Sequence, residues 1–393
     1  MRLVNALASH QKCVSRVGVP CVFYLEHIMN FGIFDAVKDI GRFLLPASVL
    51  GVDIGTASVK VVQLSRKRGR PVLENYGILG TRSYLEHQNQ AIQTSSLKAV
   101  EKDVVALLKI LLKEMRIKQG KAVVAVPSFV AFITPLEIPL LSPQETKKAI
   151  SFQARQYIPL PPSEVTIDWF TVGKFQHPRG PLYQRALLMG IPNDFVRGYQ
   201  AIFRKAGLTL ATVELESLAV VRALGPFSAP TMIIDFGAES TNVMVAEGER
   251  LVSNGQTDYG GSYLTQALSR SLGVSMNRAE DLKRRRGLKG EGGELELSTL
   301  MLSFLDVILQ ECEHAKKTYE ERHGKKVERL VLVGGGANLI GIEQYFGGQL
   351  GLAVTAPAGL TKTAYDPKLE AIAPLLNREL SVALGLALRQ ILS

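Results

Sequence analysis

Two separated segments of the chain carry one pattern, and that repeat constrains the fold more than any other feature. Val52-Asp53-Ile54-Gly55-Thr56-Ala57-Ser58 aligns with Ile234-Asp235-Phe236-Gly237-Ala238-Glu239-Ser240, each an Asp-x-Gly-x-x-Ser run. Both copies follow an apolar strand and continue into a second one, so each reads as strand, tight turn, strand. A glycine there lets the backbone turn sharply and bring N–H groups close to an anion. The hydroxyls of Thr56, Ser58, Ser240 and Thr241 add donors. Asp53 and Asp235 suit a hydrated Mg2+, which needs few protein carboxylates because it keeps several waters. Lys60, two residues past Ser58, shares its strand face and places a positive charge toward phosphate. The expected cofactor-binding set is thus Gly55, Thr56, Ala57, Ser58 and Lys60 in the first copy, and Gly237, Ala238, Ser240, Thr241 and Asn242 in the second.

The pattern is no Walker loop, because G-x-x-x-x-G-K-[ST] is absent from the sequence. Nor is it a dinucleotide fingerprint, since a strand rather than a helix follows each turn. A third segment, Leu330 to Gly341, runs from a strand into Gly334-Gly335-Gly336 and Asn338. Three successive glycines between strand and helix let a flat base or sugar lie against backbone.

Strands and helices alternate along the body of the chain, which predicts an α/β class with a mixed sheet. Leu50 to Leu64 and Val72 to Leu79 read as strands, Leu97 to Met115 as a helix, and Ala122 to Pro127 as a buried strand. Ser142, Pro143 and Glu145 form a capping box with proline at the first helical position, predicting a helix to about Tyr157. Two strands are expected at 165–172 and 186–191, then a helix capped by Asn193 and ending at Gly207. Residues 263–287 and 298–322 read as mostly helical, 329–333 as a strand, and 380–392 as a last helix.

Composition narrows the function classes. The sequence has 393 residues and a formal charge of +10, carried in short runs such as Lys283-Arg284-Arg285-Arg286. No aromatic residues interleave those runs, so nucleic acid is not the expected partner. Three cysteines without a CxxC pair or metal-ligand spacing point to a reducing compartment. No stretch reaches the ~18 uninterrupted apolar residues of a membrane span. Residues 1–28 lack clear periodicity, with Met29 a candidate natural start. An apolar stripe over 31–45 (Phe31, Phe34, Val37, Leu44) fits a leader helix that packs on its own domain or, alternatively, touches lipid or a partner.

With two phosphate hairpins and a strand–triple-glycine segment in this order, the chain resembles the actin, Hsp70 and sugar-kinase superfamily. Within it, residues from about 48 to 393 resemble the PilM family of type IV pilus assembly, with the FtsA cell-division family as neighbour. The resemblance extends to Tyr259 to Thr265, where Gly260 and Gly261 follow the second hairpin. It also covers Ala279 to Lys283, whose Glu280 and Lys283 would approach ribose and base. Residues 213–224 and 382–388 resemble the two helices that connect the lobes. FtsA proteins end in a linker and an amphipathic helix, which does not follow Arg389 to Ser393 here; that favours the PilM family.

The resemblance implies an actin-like, duplicated ribonuclease H-like fold with two lobes around a cleft for ATP and Mg2+. Lobe 1 would comprise 49–141, 211–229 and 361–393, and an FtsA-type inserted domain 142–210. Lobe 2 would comprise 230–262 and 326–360, with an outer subdomain at 263–325 and a leader at 1–48. It also implies a cytoplasmic adaptor, recruited indirectly to the inner membrane through the N-terminal cytoplasmic tail of PilN, with other platform proteins and self-association as further contacts. Glu216, on the first connecting helix, is the candidate to position a hydrolytic water. Two other functions share these hairpins: an FtsA-like membrane-associated filament scaffold, and a small-molecule kinase, for which Asp168 and Asp258 are available as bases without a recognisable kinase setting.

Overall fold

β1 (Val49–Ile54) is buried along nearly its whole length, as a strand covered on both faces must be. The computed structural model describes residues 48–80, 97–176, 180–288 and 295–392, with side chains from 101 and 299 onward in the two helices that follow gaps. The leader 1–47, with the Met29 start and the 31–45 stripe, lies outside the described residues.

β1 pairs antiparallel with β2 (Ser58–Lys67), which pairs antiparallel with β3 (Arg70–Gly80). On its other side β1 runs parallel to β4 (Lys121–Val126), which runs parallel to β8 (Thr209–Leu215). The order is therefore β3-β2-β1-β4-β8. The second sheet repeats it. β9 (Phe227–Phe236), β10 (Thr241–Gly248) and β11 (Arg250–Thr257) form the antiparallel meander, and β12 (Arg329–Val333) and β13 (Ala353–Val354) continue it in parallel, giving β11-β10-β9-β12-β13. The repeat seen in two seven-residue segments is thus a repeat of two whole sheets.

Helices cover the sheets. α1 (Leu97–Glu114) and α3 (Asn193–Lys205) pack on one face of the first sheet, where Leu108, Leu111 and Phe203 meet Leu50, Val52, Val59 and Val61. α4 (Glu216–Leu224) and α10 (Ser381–Leu392) occupy the other face, in a core continuous with that of the second sheet. α5 (Gly261–Leu272), α6 (Met276–Arg286) and α7 (Leu295–His323) cover the second sheet on the outer side. α8 (Ile342–Leu350) and α9 (Ala373–Glu379) frame the glycine turn that follows β12.

A third sheet, β5-β7-β6, stands between β4 and β8 in the chain. It comprises β5 (Phe132–Pro139), β6 (Val165–Gln176) and β7 (Leu182–Pro192). α2 (Pro143–Tyr157) closes a small core of Leu136, Ile138, Ile150, Ala154, Val165 and Leu188. The capping box is present as read: the Ser142 hydroxyl accepts from the Glu145 N–H, and Glu145 Oε2 accepts from the Ser142 N–H at 3.1 Å.

Three elements differ from expectation. β5 lies upstream of residue 142 and carries Pro135 and Pro139, which hide a strand pattern. It is an edge strand, where a missing N–H costs no ladder bond. α3 packs on the first sheet rather than with α2, and Asn193 is its first residue rather than its cap. The Asn193 amide donates to Ser163 O at 2.9 Å and accepts from Thr166 Oγ1 at 2.7 Å, fastening the helix start to the preceding loop. Finally, residues 213–215 extend β8 instead of opening the connecting helix, which begins at Glu216.

Candidate functional site

The two hairpin turns are built alike. Gly55 N–H donates to Ser58 O at 3.0 Å, and Gly237 N–H donates to Ser240 O at 3.1 Å. At Gly237 a Cβ would fall 2.7 Å from Ser240 O, so the turn closes that tightly because the residue has no side chain. Strand register then places Lys60 opposite Asp53 and Asn242 opposite Asp235. The first hairpin thus pairs its carboxylate with an ammonium, the second with an amide.

Lys60 is the hub. Its Nζ lies 3.5 Å from Asp53 Oδ2 and 3.8 Å from Glu379 Oε2, with its side chain 12% exposed. Burial alone would lower its pKa, but the carboxylates of Asp53, Glu379 and Asp235 outweigh it and hold the ammonium above its ordinary range. Asp235 is raised to about 6, chiefly by burial; Lys60 opposes the shift and Asp53 and Glu379 add to it. Glu216 opens α4 at the end of β8. Its Oε1 accepts from the Ser128 N–H at 2.8 Å and from Asn242 Nδ2 at 2.8 Å. Burial, then the Asp235 charge, push Glu216 up to about 7 against those hydrogen bonds. Asp53, Asp235 and Glu379 therefore surround the Lys60 ammonium with an excess of negative charge, and Glu216 adds a further carboxyl that feels Asp235 and Asp53. Such a cleft holds a polyphosphate when a divalent cation comes with it.

The other residues read from the sequence fall around this centre in three groups. Gly260 and Gly261 start α5 against the second turn: the N–H groups of Gly261 and Ser262 donate to Gly237 O at 3.0 Å and Ala238 O at 2.8 Å. A Cβ at Gly260 would come within 2.5 Å of Ala238 O. Glu280 and Lys283 lie beneath this junction, 2.7 Å apart, and Lys283 Nζ donates to Gly261 O and Thr265 Oγ1, each at 2.8 Å. Burial would raise Glu280, but Lys283 and Arg284 outweigh it and hold it down at about 2, while burial lowers Lys283.

The glycine run divides its work. Gly334 has φ +83°, and a Cβ on Gly336 would strike the Phe236 ring at 2.4 Å, so these two pack the turn onto the second hairpin. Gly335 is open, with Glu379 Oε1 3.8 Å from its Cβ position the nearest neighbour. Thr241 departs from expectation: it is fully buried and its hydroxyl donates to Tyr259 O at 2.7 Å, turned into the protein rather than toward a ligand. Asp168, the alternative base, sits on β6 of the third sheet and accepts the Trp169 N–H at 2.8 Å.

Sequence reasoning missed Glu379 and Ser128. Glu379 carries no motif and reaches the cleft from the far end of the chain. Ser128 and Glu216 had a signal, since they follow the carboxyl ends of neighbouring parallel strands, where α/β sheets place their sites. Val126 and Leu215 are register partners, which brings both residues to one edge.

The residues present fit a magnesium nucleotide. Asn242 Oδ1 and Ser128 Oγ, on the two residues that hold Glu216, are buried without a hydrogen-bond partner, and Gly335 carries no side chain to fill the space between its backbone and Glu379. Among the described residues no cluster of three His, Cys, Asp or Glu forms a metal cage. Asp53 and Asp235 would instead hold a cation that arrives on phosphate.

Two copies of one sheet, each presenting an Asp-bearing hairpin to a shared cleft, define an actin-like ATPase fold. The family model for type IV pilus assembly protein PilM matches residues 51–391, and the chain belongs to that family. A solved PilM–PilN type IV pilus biogenesis complex shares the fold at a TM-score of 0.74 and 23% identity, over 88% of this chain and 99% of that one. FtsA of Streptococcus pneumoniae is 23% identical over 80% of this chain and 77% of its own length. FtsA of Enterococcus faecalis is 25% identical over 60% of this chain, which spans 57% of that relative. The resemblance read from the paired hairpins is thereby confirmed.

Proposed function

We propose that this chain is an adaptor of the type IV pilus assembly platform that binds ATP and Mg2+ between its lobes and the N-terminal cytoplasmic tail of PilN on its surface. The observation that carries the nucleotide half is the convergence of Asp53, Lys60 and Asp235 at the mouths of two equivalent turns. When bound, Mg2+ neutralises phosphate charge. The chain's own residues do the rest: turn N–H groups and the Ser58 and Ser240 hydroxyls cradle phosphate, Lys60 pairs with it, and Gly335 leaves space for the nucleoside. Glu216, raised toward neutrality and held by two hydrogen bonds, is the residue suited to orient a water in any turnover.

Support for the PilN half comes from the family and from the fold shared with a PilM–PilN complex. Recruitment through a partner fits a chain in which, among the described residues, no single helix is long and apolar enough to cross a membrane. One helix pair passes that test jointly, but it is bent by 92°, and residues 381–388 of its second member are buried in the core.

The test is calorimetric titration with ATP–Mg2+ and, separately, with a synthetic PilN-tail peptide. The wild-type chain binds both. D235N and D53N each weaken ATP–Mg2+ by about ten-fold or more, the scale of a lost charge-assisted contact, and leave peptide affinity within about two-fold. Nucleotide binding untouched in both variants overturns the assignment of the cleft.

A further inference from the structure

Glu379 closes α9, at a junction between the two sheets. One carboxylate oxygen accepts from Asn338 Nδ2 at 2.8 Å, in the turn that follows β12. The other faces Lys60 Nζ across the cleft at 3.8 Å, and the side chain is 14% exposed. The carboxylate stands over Gly335, the open member of the glycine run. Its chain neighbours are fixed on both sides. Arg378 O accepts the Gly334 N–H at 2.9 Å, and its guanidinium reaches Glu343 on α8 at 2.6 Å. Ser381, two residues on, begins α10, whose Ala383 packs against Gly51 of β1.

An ammonium held 3.5 Å and 3.8 Å from two carboxylates is shared between them, and neither contact has the length of a closed hydrogen bond. A phosphate entering the cleft carries more charge than either carboxylate and competes for the same cation. Asp53 retains a use once phosphate arrives, because it faces the cation that accompanies it. Glu379 does not: with Lys60 turned to phosphate, its charge remains beside an anion with Asn338 as its hydrogen-bond donor. Occupied and empty clefts therefore place different demands on this one side chain, and a ligand biases a conformational equilibrium through such differential contacts.

We propose that Glu379 is a positioning residue that parks Lys60 in the empty cleft and surrenders it to phosphate, so that nucleotide occupancy is transmitted through residues 378–381 to α10. The inference rests on the nucleotide assignment above. It predicts that the charge on Glu379 opposes nucleotide binding, the reverse of what a residue that merely supports the cleft would do.

The experiment compares wild type, E379Q, E379D and D235N. It measures ATP–Mg2+ and ADP–Mg2+ dissociation constants, together with hydrogen exchange of residues 373–392 with and without nucleotide. Glutamine keeps an acceptor for Asn338 but removes the charge. E379Q then binds ATP–Mg2+ roughly three- to ten-fold more tightly, the scale of one relieved like-charge contact in a partly solvated site. The nucleotide-dependent change in exchange over 373–392, present in wild type, is lost. E379D, which restores the charge, returns affinity toward wild type. If E379Q binds as wild type does or more weakly, or keeps the exchange response, while D235N loses binding, the role of Glu379 is overturned and the nucleotide cleft stands. If wild type itself binds no ATP–Mg2+, both fall together.

Discussion

Glu216 shows how one side chain joins burial to chemistry. Its carboxyl is raised from 4.5 to about 7, first by burial and then by Asp235, although two hydrogen bonds favour the ionised form. A folded-state pKa above the unfolded value stabilises the protein below pH 4.5, and that contribution is lost as pH rises through about 7. Glutamine in its place keeps an oxygen to accept from Ser128 N–H and Asn242 and never ionises. E216Q is therefore expected to melt with wild type near pH 4.5 and about 2–4 °C above it at pH 8, the shift that roughly 1 kcal/mol produces in a large domain. Differential scanning fluorimetry across pH checks this. At pH 8 the same variant should bind ATP–Mg2+ and lose most of whatever ATP turnover the wild type has, if Glu216 orients the water. The residue was legible in the sequence as a member of the first connecting helix, although not as its first residue. Its hydrogen bond to Ser128 was not, because that pair is joined by strand register and not by any local spacing.

At the scale of elements, what the sequence displayed depended on where each element's partners lie. The capping box at Ser142 and the strand before the glycine run are set by neighbours within a few residues, and both stand where local chemistry puts them. β5 and β8 escaped notice because tertiary pairing defines them: one is proline-bearing and tolerated at an edge, the other is a short parallel strand. The cleft's hairpins were legible because each is a local turn. Glu379 was not, since its role exists only after α9 and β2 are brought together. Two contacts between elements yield predictions. Gly385 on α10 lies so close to α4 that a Cβ would sit 1.8 Å from Ala219 O. G385A should cost about 2 kcal/mol or more in denaturant unfolding, as overpacking against backbone does, and it should loosen both connecting helices.

The second contact is a clasp between the third sheet and the end of α7. Arg185 on β7 pairs with Glu137 at 3.1 Å, lies over the Phe175 ring at 4.3 Å, donates to Arg322 O at 3.0 Å and meets His323 Nδ1 at 3.3 Å. His323 stacks on Tyr319, whose hydroxyl bonds to Glu247, itself paired with Lys325. Burial, then the Arg185 charge, lower the His323 pKa; Glu247 opposes them, and Arg322 and Lys325 add to the lowering. The neutral ring is favoured, so its contribution is intact above the ordinary value of 6.5 and is lost as pH falls through the lowered one. The melting temperature of H323Q relative to wild type should accordingly rise as pH drops from 7 to 5, by about 2 °C. A flat difference across that range would remove the clasp's dependence on protonation.

At the scale of the molecule, two similar sheets meet through the connecting helices α4 and α10, and the charged groups of the cleft come from both sides. Three carboxylates against Lys60, with Glu216 beside Asp235, keep the cleft under mutual repulsion, eased by the raised pKa values of Asp235 and Glu216. A magnesium nucleotide would relieve that repulsion and give both hairpins a common partner. Small-angle scattering should therefore report a smaller radius of gyration with ATP–Mg2+ than without, a change absent in D235N. An unchanged radius in a chain that binds the nucleotide would show that the lobes do not close on it.

The buried helix α10 has a bearing on how the chain is made. Gly51 is near the start of the first sheet, yet the helix packed on it includes Ala383, and Ala219 meets Gly385 from between. The face of β1 that α10 covers therefore stays uncovered until residues 381–392 have been made. On a ribosome releasing the chain from its N-terminal end, the second sheet can gather its own strands before the first sheet is sealed. The sheet translated first is thus sealed only after every strand of the second has been made, and a holding factor for nascent chains would find its apolar surface on β1, β2 and β4.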